Sequence, residues 1–369
     1  MRRIGVGDLR LTDRHKTNVM DALNQNRLTY GKWQEEFEAR FATVHGKKYA
    51  CFVNSGTDAL RIGLLAMKEH YGWPDGARVL VPAVTFVATF NIVIQSGLTP
   101  VLCDVSLDDY GITPAGVEEC VAAIPAHLFG HVTPKRRVPN VPVLADSCET
   151  MFQPGCADGA VAAFSTYTAH LITTGVGGLA LSDDPSLARI TRSLANHGRS
   201  GIYTGIDDPL GRPEVMSARF HFERLGYSSR GTEVQAAIGC AELDEWPRNI
   251  ARRQNNAEAL IKGLAGLPLL FPQYAVETSS WMMFPIRTET ALQRDMLITH
   301  LELGGIETRP LLPLTTQPYI RSMYPAADLS ALFPNANTIN RTGFYVGCHQ
   351  YLDREDTDYM VDVFRKFYS

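Results

Sequence analysis

Short apolar runs alternate with stretches of helical periodicity from about residue 50 of this 369-residue chain. Strand-like runs are "ARVLVPAV", "TPVLCDV", "VPVLADS", "GAVAAFS" and "GGLALSD", whereas "VATFNIVIQSG" and "PAGVEECVAAI" have a helical pattern. This alternation predicts an α/β fold with a mostly parallel sheet flanked by helices. Ligands of open α/β sheets bind at the carboxyl ends of the strands, so we expect the functional site there.

A long helical pattern follows at residues 231–267, and Pro247 within it suggests a kink or a break. We therefore predict a large domain, residues 1–244, that includes an N-terminal helical segment "GKWQEEFEARFATVHG". Residues 245–369 would form a smaller C-terminal α+β domain. That domain contains a candidate strand "SSWMMFPIRT", a helix around Ala291–Leu303 and a last helix "EDTDYMVDVFRKFYS".

Composition narrows the class of protein. Hydrophobic residues make up 45% and charged residues 20%, with a net charge of −4, which is typical of a soluble globular protein without general affinity for nucleic acid. The sequence has no run of about 18 apolar residues, so we expect no membrane span. Seven scattered cysteines without a C-x-x-C pair favour reduced thiols and no metal site. We expect a cytoplasmic enzyme with a small-molecule substrate.

Several polar side chains fall where strands give way to helices. Gly56 and Thr57 precede a helix whose first N–H groups could bind a phosphate, although a plain N-cap fits equally well. Phe86 follows a strand and could stack on a flat ring or belong to the core. Asp146, also after a strand, could hold a protonated ring nitrogen or lie in a solvated loop. His170 could be a catalytic base or an ordinary strand-end histidine.

Motifs along nearly the whole chain resemble those of the DegT/DnrJ/EryC1/StrS family of sugar aminotransferases and related dehydratases. The matching segments are "NSGTDAL", "VPAVTFVAT", "AHLFGH", "ADSCE", "FSTYTAHLITTGVGG", "LANHGR", "GYSSRGTEVQAAIG", "GIETRPLLPLTTQPYI" and "GFYVGC". The resemblance implies a fold-type I enzyme that uses pyridoxal 5'-phosphate (PLP). It implies that Gly56, Thr57 and Ser165 hold the cofactor phosphate, that Phe86 stacks on the pyridine ring, and that Asp146 pairs with its nitrogen.

At three further positions the sequence departs from the family pattern. Glu149 stands where the aminotransferases usually have glutamine or histidine near the ring hydroxyl. The "GYSSRG" loop matches a segment that reaches the neighbouring subunit's cofactor, which implies a homodimer, but Ser228 replaces the usual asparagine there. Val176 replaces the glutamate of the family's "GEGG" segment.

His170 is the largest departure, because aminotransferases of this family have at this position the lysine that bonds to the cofactor. The sequence has no lysine between Lys135 and Lys262, so no nearby residue replaces it. A histidine cannot form that bond but can accept and return a proton near neutral pH. This combination resembles the lysine-lacking branch of GDP-4-keto-6-deoxymannose 3-dehydratases, which use pyridoxamine 5'-phosphate (PMP).

The resemblance therefore implies a 3-dehydratase that acts on a nucleotide-linked 4-keto-6-deoxyhexose, with His170 as base and an amino donor such as glutamate. Arg309, in "TRP", is a candidate contact to the sugar or diphosphate, or only a salt-bridge partner. Two alternatives stay open: a PLP enzyme without the lysine that acts on an amine-bearing substrate such as an amino acid or modified nucleotide, and a catalytically inactive relative.

Overall fold

Helices and strands alternate through most of the chain in the computed structural model, which describes residues 2–113, 119–199, 213, 220–273 and 275–369. The helices are α1 (Asp13–Asn24), α2 (Lys32–Val44), α3 (Gly56–Tyr71), α4 (Val87–Gln95), α5 (Pro185–Ala195), α6 (Glu233–Leu264), α7 (Ala291–Leu303), α8 (Pro318–Met323), α9 (Leu329–Leu332), α10 (Pro334–Thr342) and α11 (Arg354–Phe367). The strands are β1 (Tyr49–Val53), β2 (Arg78–Pro82), β3 (Thr99–Cys103), β4 (Ala122–Ala123), β5 (Leu144–Asp146), β6 (Val161–Ser165), β7 (Gly178–Ser182), β8 (Leu269–Leu270), β9 (Met283–Thr288), β10 (Thr308–Pro310) and β11 (Gly343–Gly347).

The large sheet is mostly parallel, as predicted. Its two hydrogen-bonded sections have the strand orders β3-β2-β4 and β1-β7-β6-β5. Parallel bridges from Ala123 to Val143 and from Ala126 to Asp146 join β4 to β5. Strand β7 runs antiparallel to both of its neighbours, β1 and β6. The carboxyl ends of β5 and β6 therefore lie side by side, which places the residues that follow them at one edge.

Four antiparallel strands form the C-terminal sheet, in the order β10-β11-β9-β8. Its core contains Phe284, Phe344 and Phe364, which are almost completely buried, and Leu260 from the second half of α6. Ile4 from the N-terminal segment also belongs to this core. Burying an aromatic side chain of this kind stabilises the fold by roughly 1.5–3 kcal/mol. The expected C-terminal α+β unit is thus present, while the boundary at residue 245 stays a prediction.

Of the two expectations for Pro247, a break is wrong, because α6 continues from Glu233 to Leu264 with the proline inside it, and a kink stays a prediction. Proline removes one helical hydrogen bond and disfavours the preceding turn. Buried residues lie on both sides of it, Leu243 and Ile250 among them, so both halves pack against the rest of the protein. Tertiary packing therefore outweighs the local preference at this position.

A second difference concerns the segment "PAGVEECVAAI". Its first residues, 114–118, lie outside the described part of the chain. Its end is not helical, since Ala122 and Ala123 form strand β4 beside β2. A short apolar run cannot be assigned to helix or strand by periodicity alone, and here hydrogen bonding to β2 decides.

The N-terminal helical segment packs back on the large sheet. Phe37 of α2 contacts the ring of Phe52 on β1, with the ring centroids 5.1 Å apart. No helix in the described residues is long and apolar enough to cross a bilayer.

Candidate functional site

The loops that follow β5 and β6 meet the first turn of α3 at one point. Gly56 begins that helix, and a methyl group placed on its Cα would lie 2.6 Å from Ser165 Cβ and 3.0 Å from Cys148 Sγ. The backbone therefore approaches these side chains as closely as only glycine permits. Cys148 is also hydrogen-bonded to two other predicted site residues, Asp146 and His170. Gly56, Asp146, Ser165 and His170 thus surround one small region of the protein.

The first turn of α3 combines both expectations for the "NSGT" segment. Ser55 caps the helix by accepting a hydrogen bond from the Asp58 N–H at 3.1 Å. Thr57 lies exposed in the first turn, and Ser165, next to Gly56, has 6% of its surface exposed. Helix N-terminal N–H groups with hydroxyl side chains nearby suit a phosphate group. An N-cap and an anion site are therefore compatible here.

The Asp146 carboxyl is almost buried, with 6% of its surface exposed, and it accepts only neutral hydrogen bonds. Thr89 Oγ1 donates to Asp146 Oδ2 at 2.6 Å, and the Cys148 N–H donates to Oδ1 at 3.2 Å. Burial raises the pKa of Asp146, and the two hydrogen bonds oppose the rise only in part. A carboxylate in this setting is stabilised by a cationic partner such as a protonated pyridine nitrogen. The site therefore fits the cofactor that the resemblance implies.

Phe86 lies at the N-cap of α4, immediately before the helix that carries Thr89. Its side chain is 58% exposed, which excludes the alternative that it belongs to the core. An exposed aromatic ring next to a buried carboxylate is suited to stacking on a flat ligand. That stacking role stays a prediction.

His170 is half-buried, and one of its ring nitrogens has a fixed partner. Its Nδ1 lies 2.7 Å from the carbonyl oxygen of Cys148. A carbonyl only accepts, so Nδ1 carries the proton and the neutral ring keeps its lone pair on Nε2. Burial lowers the pKa of His170 to about 4, although backbone hydrogen bonds oppose the shift. The imidazole is therefore neutral at physiological pH, with its basic lone pair on Nε2.

Glu149 follows Cys148 and is half-buried. Its Oε2 accepts a hydrogen bond from the Phe129 N–H at 3.0 Å. Burial raises the pKa of Glu149 to about 7, and the nearby Asp146 charge contributes to the rise. Unlike the glutamine of the aminotransferases, this side chain can carry or release a proton at neutral pH.

Two predicted residues lie apart from this group. Ser228 is exposed, and its hydroxyl accepts a hydrogen bond from Arg230 Nη2 at 2.8 Å. Arg309 is on β10, where it forms an ion pair with Glu307 and donates to the Thr308 carbonyl at 2.8 Å. That ion pair is what the salt-bridge interpretation of Arg309 expects. Val176 is 50% exposed, and its carbonyl accepts from Thr174 and Gln235.

Sequence reasoning missed Thr89 and Tyr345. Thr89 is a polar residue in the otherwise apolar run "VATFNIVIQ", which was the available signal. Tyr345 lies opposite Arg309 in the sheet. Burial raises the pKa of Tyr345, the Glu149 charge adds to the rise, and the Arg309 charge opposes it. Tyr345 therefore lies within electrostatic range of both residues, between the buried site and the C-terminal sheet.

Within the described ranges, no group of three or more histidine, cysteine, aspartate or glutamate residues is arranged to hold a metal ion. The residues brought together here are instead a helix N-terminus, a hydroxyl, a carboxylate and an imidazole.

Comparison with known proteins agrees with this chemistry. A GDP-4-keto-6-deoxy-D-mannose 3-dehydratase of Escherichia coli O55:H7 is 27% identical over 377 residues, which cover 94% of this chain and 95% of that protein. A dTDP-3-amino-3,4,6-trideoxy-alpha-D-glucose transaminase of Streptomyces venezuelae is 30% identical over 375 residues, or 95% of this chain and 90% of that protein. The solved structure of an E. coli GDP-4-keto-6-deoxy-D-mannose-3-dehydratase with bound hydrated PLP has the same fold, with a TM-score of 0.85 and 24% identity, covering 99% of this chain and 100% of that one.

The model of one protein family matches residues 10–365, almost the whole chain. The same span contains every predicted site residue. The chain belongs to the DegT/DnrJ/EryC1/StrS aminotransferase family.

Proposed function

We propose that this protein is a 3-dehydratase that removes the 3-hydroxyl group from a nucleotide-linked 4-keto-6-deoxyhexose, with His170 as the base. One observation carries the proposal. A neutral imidazole with its lone pair on Nε2 stands beside Gly56, Asp146 and Ser165, and the sequence has no lysine between Lys135 and Lys262.

The cofactor is PLP, which becomes PMP when it accepts an amino group. Gly56, Thr57 and Ser165 would hold its phosphate at the start of α3, and Phe86 would stack on its ring. Asp146 would pair with the ring nitrogen, which supplies the positive charge that the buried carboxylate lacks. When bound, the cofactor would supply the amine for the keto carbon of the sugar and an electron sink for the elimination.

His170 Nε2 acts as the base that removes a proton from C4′ of the cofactor. The hydrogen bond from Nδ1 to the Cys148 carbonyl fixes the ring orientation, so that proton transfer occurs at Nε2 alone. Its low pKa keeps the base unprotonated at neutral pH. Unlike lysine, the imidazole cannot bond covalently to the cofactor, so it does not compete for the carbon that carries the substrate.

Loss of the 3-hydroxyl and later hydrolysis give a balanced reaction. For each turnover, one glutamate becomes one 2-oxoglutarate, one ammonia is released, and the sugar loses one oxygen atom. A transaminase would instead leave the nitrogen on the sugar. Several relatives are transaminases, but the missing lysine favours elimination in this chain.

Substrate contacts would come from the side of the C-terminal sheet, where Arg309 and Tyr345 lie opposite each other. Arg309 can bind a diphosphate with its guanidinium if the ion pair with Glu307 opens. We further propose a homodimer in which Ser228 approaches the cofactor of the neighbouring subunit.

The test is to incubate the protein with PLP, glutamate and a GDP- or dTDP-linked 4-keto-6-deoxyhexose, and to identify the product by mass spectrometry. We expect a 3-deoxy sugar from the wild type and none from His170→Asn. His70→Asn, an exposed histidine in the last turn of α3, is the matched control and should retain activity. A 4-amino sugar as product, or full activity in His170→Asn, would show that the proposal is wrong.

A further inference from the structure

Arg253 of α6 is among the most deeply buried charged residues of the protein, with 2% of its surface exposed. Its Nε donates to Gln350 Oε1 at 2.8 Å, and its Nη1 donates to the carbonyls of Trp281 at 3.1 Å and Met282 at 2.8 Å. The remaining nitrogen, Nη2, lies 3.5 Å from the carbonyl of His170. All four acceptors are neutral.

A buried guanidinium without a carboxylate partner is costly. The hydrogen bonds of Arg253 in the described residues go to neutral acceptors, and burial lowers its pKa to about 10. Hydrogen bonds to carbonyls offset part of the desolvation cost, but an apolar residue of similar volume would avoid that cost entirely. The charge at this position therefore needs a reason beyond packing.

The segment whose carbonyls accept from Arg253, residues 281–282, packs against the backbone at Phe129 and Gly130. Trp281 has a positive φ of 47°, and Gly130 packs so close that a Cβ there would lie 2.2 Å from the Trp281 nitrogen. Met282 donates its N–H to the Phe129 carbonyl at 3.1 Å, and the Phe129 N–H is bonded to Glu149. One continuous set of contacts thus connects His170 with Glu149 through Arg253.

We infer that Arg253 is a positioning residue for His170: it holds the loop after β6 through the His170 carbonyl and places a positive charge, hydrogen-bonded only to neutral groups, near the imidazole. This inference rests on the proposed role of His170 as base and deepens it. Nothing in the sequence motifs singles out Arg253, because it lies in the middle of a helix far from "FSTYTAHLITTGVGG".

The effect of the Arg253 charge on the pKa of His170 has a definite sign. Burial is the larger cause of the low pKa of His170, and the Arg253 charge lowers that pKa further. The Tyr167 ring and the Cys148 carbonyl also face the imidazole. Around Arg253, Cys348, Tyr351 and Glu242 raise its own pKa without neutralising it. His349 also lies within range, and the Arg253 charge lowers the pKa of that histidine. Removing the positive charge should therefore raise the pKa of His170.

Nuclear magnetic resonance of the cofactor-loaded protein, labelled with ¹⁵N in its histidines, tests this directly. The His170 signal is assigned by its loss in His170→Asn. In Arg253→Gln we expect the titration midpoint to move upward by about one unit. Gln350→Glu should move it in the same direction, because a carboxylate at that position keeps the hydrogen bond to Arg253 but neutralises the charge.

Two variants serve as controls. Arg253→Lys retains the positive charge, and Arg252→Gln removes the exposed charge of the adjacent residue. We expect neither to move the midpoint by more than about 0.3 unit. An unchanged midpoint in both Arg253→Gln and Gln350→Glu would overturn the inference, as would an equal shift in Arg252→Gln. If Arg253→Gln does not fold, Gln350→Glu alone decides by the same criterion.

The His170 titration is measured in the absence of catalytic turnover, so its outcome does not depend on whether the protein is a 3-dehydratase. A transaminase product would refute the dehydratase and leave a shifted midpoint intact. An unshifted midpoint beside a 3-deoxy product would refute only the role of Arg253.

Discussion

Asp146→Asn should weaken cofactor binding strongly while leaving the apoprotein folded. In the apoprotein the substitution removes a buried charge that has only neutral partners, Thr89 and the Cys148 N–H. The amide can keep both contacts, because its oxygen can accept from Cys148 and its NH₂ can donate to Thr89. Thr89 can then turn its own proton to Thr85 Oγ1, which lies 2.7 Å away. We therefore expect the thermal midpoint of the apoprotein to stay the same or to rise.

With cofactor bound, the effect has the opposite sign. Asp146 is 6% exposed, so its pair with a ring cation belongs to the buried class, in which removing one partner costs about 3–5 kcal/mol. Such a loss corresponds to at least roughly a 150-fold rise in the dissociation constant. The assay is a titration of apoprotein with PLP followed by absorbance, with thermal melts at zero and saturating cofactor. Asp75→Asn, which removes an exposed partner of Lys68, is the control. A dissociation constant within threefold of wild type would refute the assignment of Asp146.

Two further predictions concern the same site. Gly56→Ala places a methyl group 2.6 Å from Ser165 Cβ, so it should cost about 1–3 kcal/mol of stability and weaken PLP binding, as thermal melts and PLP titration would show. Unchanged stability and affinity would mean that the close approach has no role. Glu149 has a folded pKa of about 7, above its unfolded value, so its contribution to stability is complete below about pH 4.5 and is lost as the pH rises through 7. Urea unfolding at pH 5 and pH 8 should show that loss in the free energy of unfolding, at most about 3 kcal/mol, in the wild type and not in Glu149→Gln. An equal change in the free energy of unfolding between the two pH values in both proteins would contradict the buried position of this carboxyl.

The fold was predictable where periodicity and chain order agree. Strand runs such as "GAVAAFS" and "GGLALSD" became β6 and β7, and the expected helix around Ala291–Leu303 has those bounds in the structure. Pro247 misled because local propensity does not include the packing that lets α6 continue through it. The end of "PAGVEECVAAI" misled because a short apolar run carries no information on which neighbour it will bond to.

The site was predictable as a set of residue types and not as a network. Asp146, Ser165 and His170 were identified from motifs, and the structure brings them together around Cys148. The role of Cys148 was not predictable, because it contributes a backbone carbonyl and N–H that any residue would supply. Arg253 was missed for a different reason: its partners are backbone carbonyls distant in sequence, and only the folded chain brings them within reach.

The fate of the amino nitrogen tests the central claim most directly. The protein would be supplied with PLP, ¹⁵N-labelled glutamate and a nucleotide-linked 4-keto-6-deoxyhexose, and the label would be followed by mass spectrometry. The account predicts one labelled ammonia for each 2-oxoglutarate and a 3-deoxy sugar without label. Labelled nitrogen retained on the sugar would contradict it and would show that His170 supports amino transfer.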